Sequence, residues 1–171
     1  MTCIAFDGRY LAADSALFRG DNSMTTNVDK LFIRWEKGNE FAFALCGTKL
    51  HLNKLHDYLK KDKYFEFDNT GAGYDVSCTC GLIVSADFHK NAYAQFIYAD
   101  GSIDPQKFTS IADGSGSVFL MGCLAAGTSA MKAVHLAKFH TTAAGGDVKY
   151  IDCLRMFKHN EFEIKTYIPQ N

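Results

Sequence analysis

The chain is poor in the features that usually narrow a first reading. Proline occurs only at positions 105 and 169, so no apolar run between residues 1 and 104 carries the residue that removes a ladder hydrogen bond or breaks a helix. No run approaches the roughly 18 apolar residues that span a bilayer, which excludes a transmembrane helix. The N-terminus lacks a basic segment followed by an apolar one, so no secretory signal is expected and the cytoplasm is the expected location. Charge of one sign is also missing. Eighteen Lys and Arg against nineteen Asp and Glu leave a net charge of -1, too little to hold nucleic acid through its phosphates. Six cysteines, Cys3, Cys46, Cys78, Cys80, Cys123 and Cys153, contain no CxxC pair. They read as buried free thiols, not as a disulfide framework or zinc site. Six histidines form no HExxH motif, so neither a metal nor another cofactor is expected.

What is present suits one globular domain over residues 1–171, with 47% hydrophobic and 22% charged residues. The chain opens with two strand-like runs, TCIAF and YLAAD, around Asp7-Gly8, a hairpin signal. After the polar stretch FRGDNSMTTN, the runs KLFIRW and EFAFALC form a second expected hairpin. In TKLHLNKLHDYLKK, Leu52, Leu55 and Leu59 fall at i, i+3 and i+7, the stripe of an amphipathic helix with Thr48 as a candidate N-cap. Two more strands follow, CTCGLIVSA and NAYAQFIYAD. Two consecutive helices come next, GSGSVFLMGCLAAG and TSAMKAVHLAKFH, separated at Gly127-Thr128. DVKYIDCLRMF and EFEIKTYI read as a terminal hairpin around His159-Asn160. Antiparallel hairpins with segregated helices predict an α+β layered domain, either two packed sheets with outer helices or one helix-covered sheet.

Four segments in order, MTCIAFDGRYLAADSA, NVDKLF, ALCGTKL and DGSGSVFLMGCLAAGTSAMKAV, together resemble the proteasome β-subunit and bacterial HslV peptidases, the threonine branch of the N-terminal nucleophile hydrolases. The likeness spans nearly the whole chain. It is most specific where a start Thr, a strand ending Ala-Ala-Asp and a Lys sixteen positions after that Asp (30 − 14) occur together. The short loops are similar to those of small proteasome-related proteins encoded by phages, for which the host cytoplasm is the expected site. The resemblance implies a four-layer αββα sandwich.

It also implies a chemistry that each residue type can perform. Thr2, which as a residue alone reads equally as an edge-strand β-former, would become the N-terminus once Met1 is removed. Its α-amine, with a pKa of about 7.7–8.0, could then take the proton from its own hydroxyl. Lys30 resembles the lysine beside the nucleophile, whose ammonium lowers the pKa of that amine, and Asp14 the aspartate that holds the lysine. Without the family, Asp14 is a turn cap and Lys30 a solvated lysine. Gly47 resembles the glycine whose N–H forms the oxyanion hole. Ser115 resembles the serine that relays a proton near the amine, although GSGS at a helix start also fits an anion nest. By strand alternation Leu45 shares a face with Gly47 and is expected to line the pocket for the residue before the scissile bond.

In the family, an Asp followed after two residues by Ser-Gly or Thr-Gly precedes the strand that starts here at Asp147. This chain has Thr141 at the aspartate position and Ala144 at the hydroxyl position. The implied activity is peptide hydrolysis on a peptide or unfolded-protein substrate, in a homo-oligomeric ring that an ATPase unfoldase can feed. Two other readings stay open: a catalytically inactive ring scaffold or binding protein, and amide hydrolysis on a small molecule.

Overall fold

The computed structural model describes residues 2–18, 24–25, 28–36, 39–46, 79–98 and 102–169. The helix expected over TKLHLNKLHDYLKK, Gly47 and Cys78 lie outside them. The described elements run β1 (Ile4–Phe6), β2 (Tyr10–Asp14), β3 (Leu17–Phe18), β4 (Met24–Thr25), β5 (Leu31–Glu36), β6 (Asn39–Leu45), β7 (Thr79–Ala86), β8 (Ala92–Tyr98) and β9 (Ile111–Asp113). Then come α1 (Ser117–Ala125), α2 (Ala130–His140), β10 (Val148–Asp152), α3 (Cys153–His159) and β11 (Ile164–Thr166). They form an α+β structure with two larger antiparallel sheets, in the orders β11-β10-β2-β1-β9 and β5-β6-β7-β8, and a two-stranded ribbon β3-β4. Among the described residues no helix is long and apolar enough to cross a membrane.

The Asp7-Gly8 turn forms as the sequence predicts. Asp7 Oδ1 accepts from the Arg9 and Tyr10 amides at 2.9 and 2.7 Å, and β1 then pairs with β2 in the register Ile4↔Ala13, Ala5↔Ala12, Phe6↔Leu11. The second oxygen of Asp7 accepts from the Ala130 amide at 2.8 Å, tying the hairpin turn to the start of α2. β1 is an interior strand of its sheet, between β2 and the edge strand β9, and all three of its residues are fully buried. Burying Ile4 and Phe6 contributes about 1.5–3 kcal/mol each, enough to hold so short a strand.

Period-two alternation sorts the strand residues into layers. Ile4, Phe6, Leu11 and Ala13 of the first sheet pack against Ala42, Ala44, Cys46, Leu82 and Val84 of the second. The opposite face of the first sheet, Cys3, Ala5, Ala12 and Ala112, packs on Leu120 of α1 and Ala130, Ala133, Val134 and Ala137 of α2. The alanines let the helices approach closely. Phe43, Leu45, Cys80, Ile83 and Ile97 form a third cluster on the far face of the second sheet.

The C-terminal hairpin departs from expectation. Only VKYID is strand; CLRMFKH is α3, started by Asp152, whose side chain accepts from the Arg155 amide at 3.1 Å, and ended by Asn160 at φ 57°. Cys153, Met156 and Phe157, at i, i+3 and i+4, supply its buried stripe. β10 still pairs with β11 across this helix, Ile151 opposite Ile164. Two smaller features are the ribbon β3-β4, of which Phe18 and β4 fall within the polar stretch FRGDNSMTTN, and the N-cap of α2, which is Ser129.

Candidate active site

At the end of the first sheet, β1 and β2 bring Thr2 and Asp14 together, and Lys30 reaches them from the start of β5 in the second sheet. The Lys30 ammonium donates to Asp14 Oδ1 at 2.8 Å and to Thr2 Oγ1 at 3.2 Å. Both charged side chains are almost wholly buried, at 1% and 0% exposure. A buried ion pair persists only if its remaining valences are satisfied, and those of Asp14 are. Oδ1 also accepts from the Cys3 amide at 2.9 Å, while Oδ2 accepts from the Ala16 and Gly145 amides, both at 3.2 Å. Asp14 is therefore held by four donors from four parts of the chain. That geometry fixes Lys30 and, through it, the Thr2 hydroxyl.

Ser115 stands on the other side of Thr2. Its Oγ accepts from the Thr2 nitrogen at 3.0 Å and donates to the Thr2 carbonyl at 3.4 Å, and the Gly116 amide donates to the same carbonyl at 3.4 Å. The turn that delivers Ser115 needs Gly114, at φ +89°, where a Cβ would stand 2.3 Å from the Thr2 carbonyl oxygen. In the chain with Met1 attached, the Thr2 nitrogen is a peptide nitrogen; with Met1 removed the same atom is the α-amine, and Ser115 is its neighbour.

The structure thus brings Thr2, Asp14, Lys30 and Ser115 into one hydrogen-bonded group. Gly47 lies outside the described residues, one position beyond Cys46. Leu45 is not in this group. Alternation does put it on one face with Phe43, but that face carries the third cluster, with Cys80, Ile83 and Ile97, while Ala44 and Cys46 face the first sheet. Its expected pocket role has no support in this packing.

Cys3, beside Thr2, goes to the helix side of its sheet, and burial, then the Asp14 carboxylate, push its thiol up to about 12. A thiol so poorly ionised is a weak nucleophile. The segment 141–147 meets the group by its main chain. Thr141 Oγ1 turns back to donate to the Ala137 carbonyl at 2.8 Å and accepts from the Ala143 amide at 3.1 Å, and Ala144 is buried on the helix side. Gly145 supplies its amide to Asp14, and Ser15 Oγ accepts from the Asp147 amide at 2.8 Å. Sequence reasoning followed the side chains of this segment and missed the Gly145 amide, for which no residue type is a signal.

No family model matches the chain, and no curated protein matches it. Among solved structures it is similar to Anbu, an ancestral beta-subunit from Yersinia bercovieri, with a TM-score of 0.61 and 13% identity over 90% of this chain and 83% of that one. At that identity the likeness is one of fold: this chain shares the overall architecture of an ancestral beta-subunit.

Proposed function

We propose that this protein is a threonine-type peptidase of the proteasome β-subunit and HslV kind, with Thr2 as its nucleophile. The observation that carries the reading is the buried Lys30 ammonium, shared between Asp14 Oδ1 and Thr2 Oγ1. Removal of Met1 frees the Thr2 amine, which is partly neutral near its ordinary pKa of about 7.7–8.0 and disfavoured as an ammonium beside Lys30. The amine takes the Oγ1 proton, with Ser115 Oγ in hydrogen-bonding position to relay it. Oγ1 attacks the peptide carbonyl, and the C–N bond breaks as the proton passes to the leaving amine. Water then hydrolyses the ester, releasing the carboxylic acid and restoring Thr2. The Gly47 amide is the proposed oxyanion donor, a contribution of about 2.7–4 kcal/mol. A four-layer αββα sandwich, a homo-oligomeric ring and delivery of unfolded protein by an ATPase unfoldase belong to the same reading, which the likeness in fold to an ancestral beta-subunit supports.

One observation favours a second reading, a catalytically inactive ring scaffold or binding protein. Thr141 and Ala144 contribute no side-chain group to the Thr2 network. Against it, the Gly145 amide still reaches Asp14. Intact mass before and after incubation with a peptide epoxyketone separates the two. The peptidase loses Met1 and gains one inhibitor adduct at Thr2; a chain that keeps Met1, or stays unlabelled, is not this enzyme. Size-exclusion mass tests the ring.

A further inference from the structure

The candidate site is split between two sheets: Thr2, Asp14 and Ser115 come with the first, Lys30 with the second. The apolar layer between the sheets sets their spacing and packing, while directional polar links fix where individual polar groups stand. The Lys30–Asp14 ion pair is one directional link. The Lys149–Asp29 pair at 2.7 Å and the Val28 amide on the Ser15 carbonyl at 2.9 Å join the same strand ends, all on the Lys30 side of Thr2.

A further link joins the end of β6 to the strand that leads into the Ser115 turn. Cys46, directly after β6, aims its thiol across the gap, and Sγ donates to Asp113 Oδ2 at 3.3 Å in a buried setting. The other oxygen of Asp113 accepts from the Gly114 amide at 2.7 Å. Asp113 therefore grips, with its two oxygens, the end of β6 and the turn that carries Ser115. On the second sheet the same segment is tied to the lysine, because the Leu45 amide donates to the Lys30 carbonyl at 2.8 Å. The Cys46 amide is anchored too, on the Cys80 carbonyl at 2.8 Å.

We propose that Asp113 and Cys46 are positioning residues, a polar clasp between the sheets that sets where the Ser115 turn and the Lys30 segment stand about Thr2. This inference rests on the threonine-peptidase reading for its kinetic consequence, while the clasp itself is a property of the fold. Burial, then the charge of Asp113 and its hydrogen bond, push the Cys46 thiol well above its ordinary value. The sulfur accordingly keeps its proton and serves as a donor.

Small displacements of reacting groups are costly in rate, about a hundredfold for 1 Å. Cys46→Ala removes the donor without adding bulk, Cys46→Ser restores one, and Asp113→Asn leaves one amide oxygen for two donors. The experiment measures epoxyketone labelling as kinact and KI for the whole chain and its variants, with amide hydrogen exchange at 44–46 and 114–116 and the unfolding midpoint in parallel. Cys46→Ala and Asp113→Asn should lower kinact about tenfold, half of that 1 Å penalty on a logarithmic scale, with little change in KI, and speed exchange in both segments. Cys46→Ser should recover most of kinact. The clasp is overturned if Cys46→Ala labels at the original rate, if Ser fails to restore it in a folded protein, or if exchange stays unchanged in both segments. If the parent chain does not label at all, the peptidase reading fails, and the exchange result alone decides for or against the clasp.

Discussion

One cation joins three parts of the chain: the Lys30 ammonium, at the threshold of β5, lies 2.8 Å from Asp14 Oδ1 and 3.2 Å from Thr2 Oγ1. The two members of this pair are not equivalent. Without Lys30, Asp14 keeps three main-chain donors, whereas without Asp14 the ammonium loses the carboxylate with which it is buried.

Asp14→Ala should therefore destabilise the fold more than Lys30→Met. Uncompensated burial of a charge costs about 3–5 kcal/mol. Urea unfolding of both variants and their double gives the order and the coupling. Equal losses for the two single variants would contradict the asymmetry.

Two glycines near each other in sequence should respond in opposite directions. Gly114→Ala places a methyl group 2.3 Å from the Thr2 carbonyl at φ +89°, so the turn or β1 must move. A loss of about 1–3 kcal/mol from the strained backbone alone is expected, along with slower labelling of Thr2. Gly122, inside exposed α1, has no heavy atom within 4 Å of a would-be Cβ. Gly122→Ala should stabilise by about 0.8–1 kcal/mol, read as a rise in the unfolding midpoint.

The thiols offer a test of nucleophile identity. Among the described cysteines, Cys3 is fully buried with its thiol pushed up to about 12, whereas Cys123 is partly exposed. A maleimide at neutral pH should modify Cys123 before Cys3, as peptide mapping would report. Cys3→Ala should still label with epoxyketone. Loss of labelling in Cys3→Ala with the fold intact would point to sulfur chemistry.

His135 predicts a pH dependence. Its ring lies 5.2 Å from that of Phe139 and 5.8 Å from that of Tyr167, and burial, then Lys138, hold the imidazole below its ordinary value. The folded chain thus binds this proton less tightly than the unfolded chain. The stabilisation from the neutral ring is complete above about pH 6.5 and is lost as pH falls through the lower folded value. Melts at pH 7.5 and pH 5 should show a larger drop for the parent chain than for His135→Gln. Identical drops would remove His135 as the cause.

Turn chemistry was the local signal that the structure follows most directly. Asp7-Gly8 made the first hairpin legible, whereas the Asp14–Lys30 pair was implied only by the family resemblance, since either residue alone reads as a cap or a solvated lysine. Leu45 shows what alternation leaves open. It says which residues share a face of β6, not which face meets β1, and that choice depends on packing between strands far apart in sequence. α3 was illegible for a related reason: VKYIDCLRMF is apolar enough for either state, and the cap at Asp152 decides it. The Cys46–Asp113 contact, between residues 67 apart in the chain, has no local signature at all.

The Gly145 contact has a consequence for what this segment must supply. Because this donor to Asp14 is a peptide N–H and not a side chain, the contact asks for a backbone shape at Gly145 and not for a particular side chain in the segment before it. Side chains there answer to other contacts, as Ala144 does to the helix-side core. What the carboxylate needs from this segment is a curve in the chain, which a comparison of letters does not register.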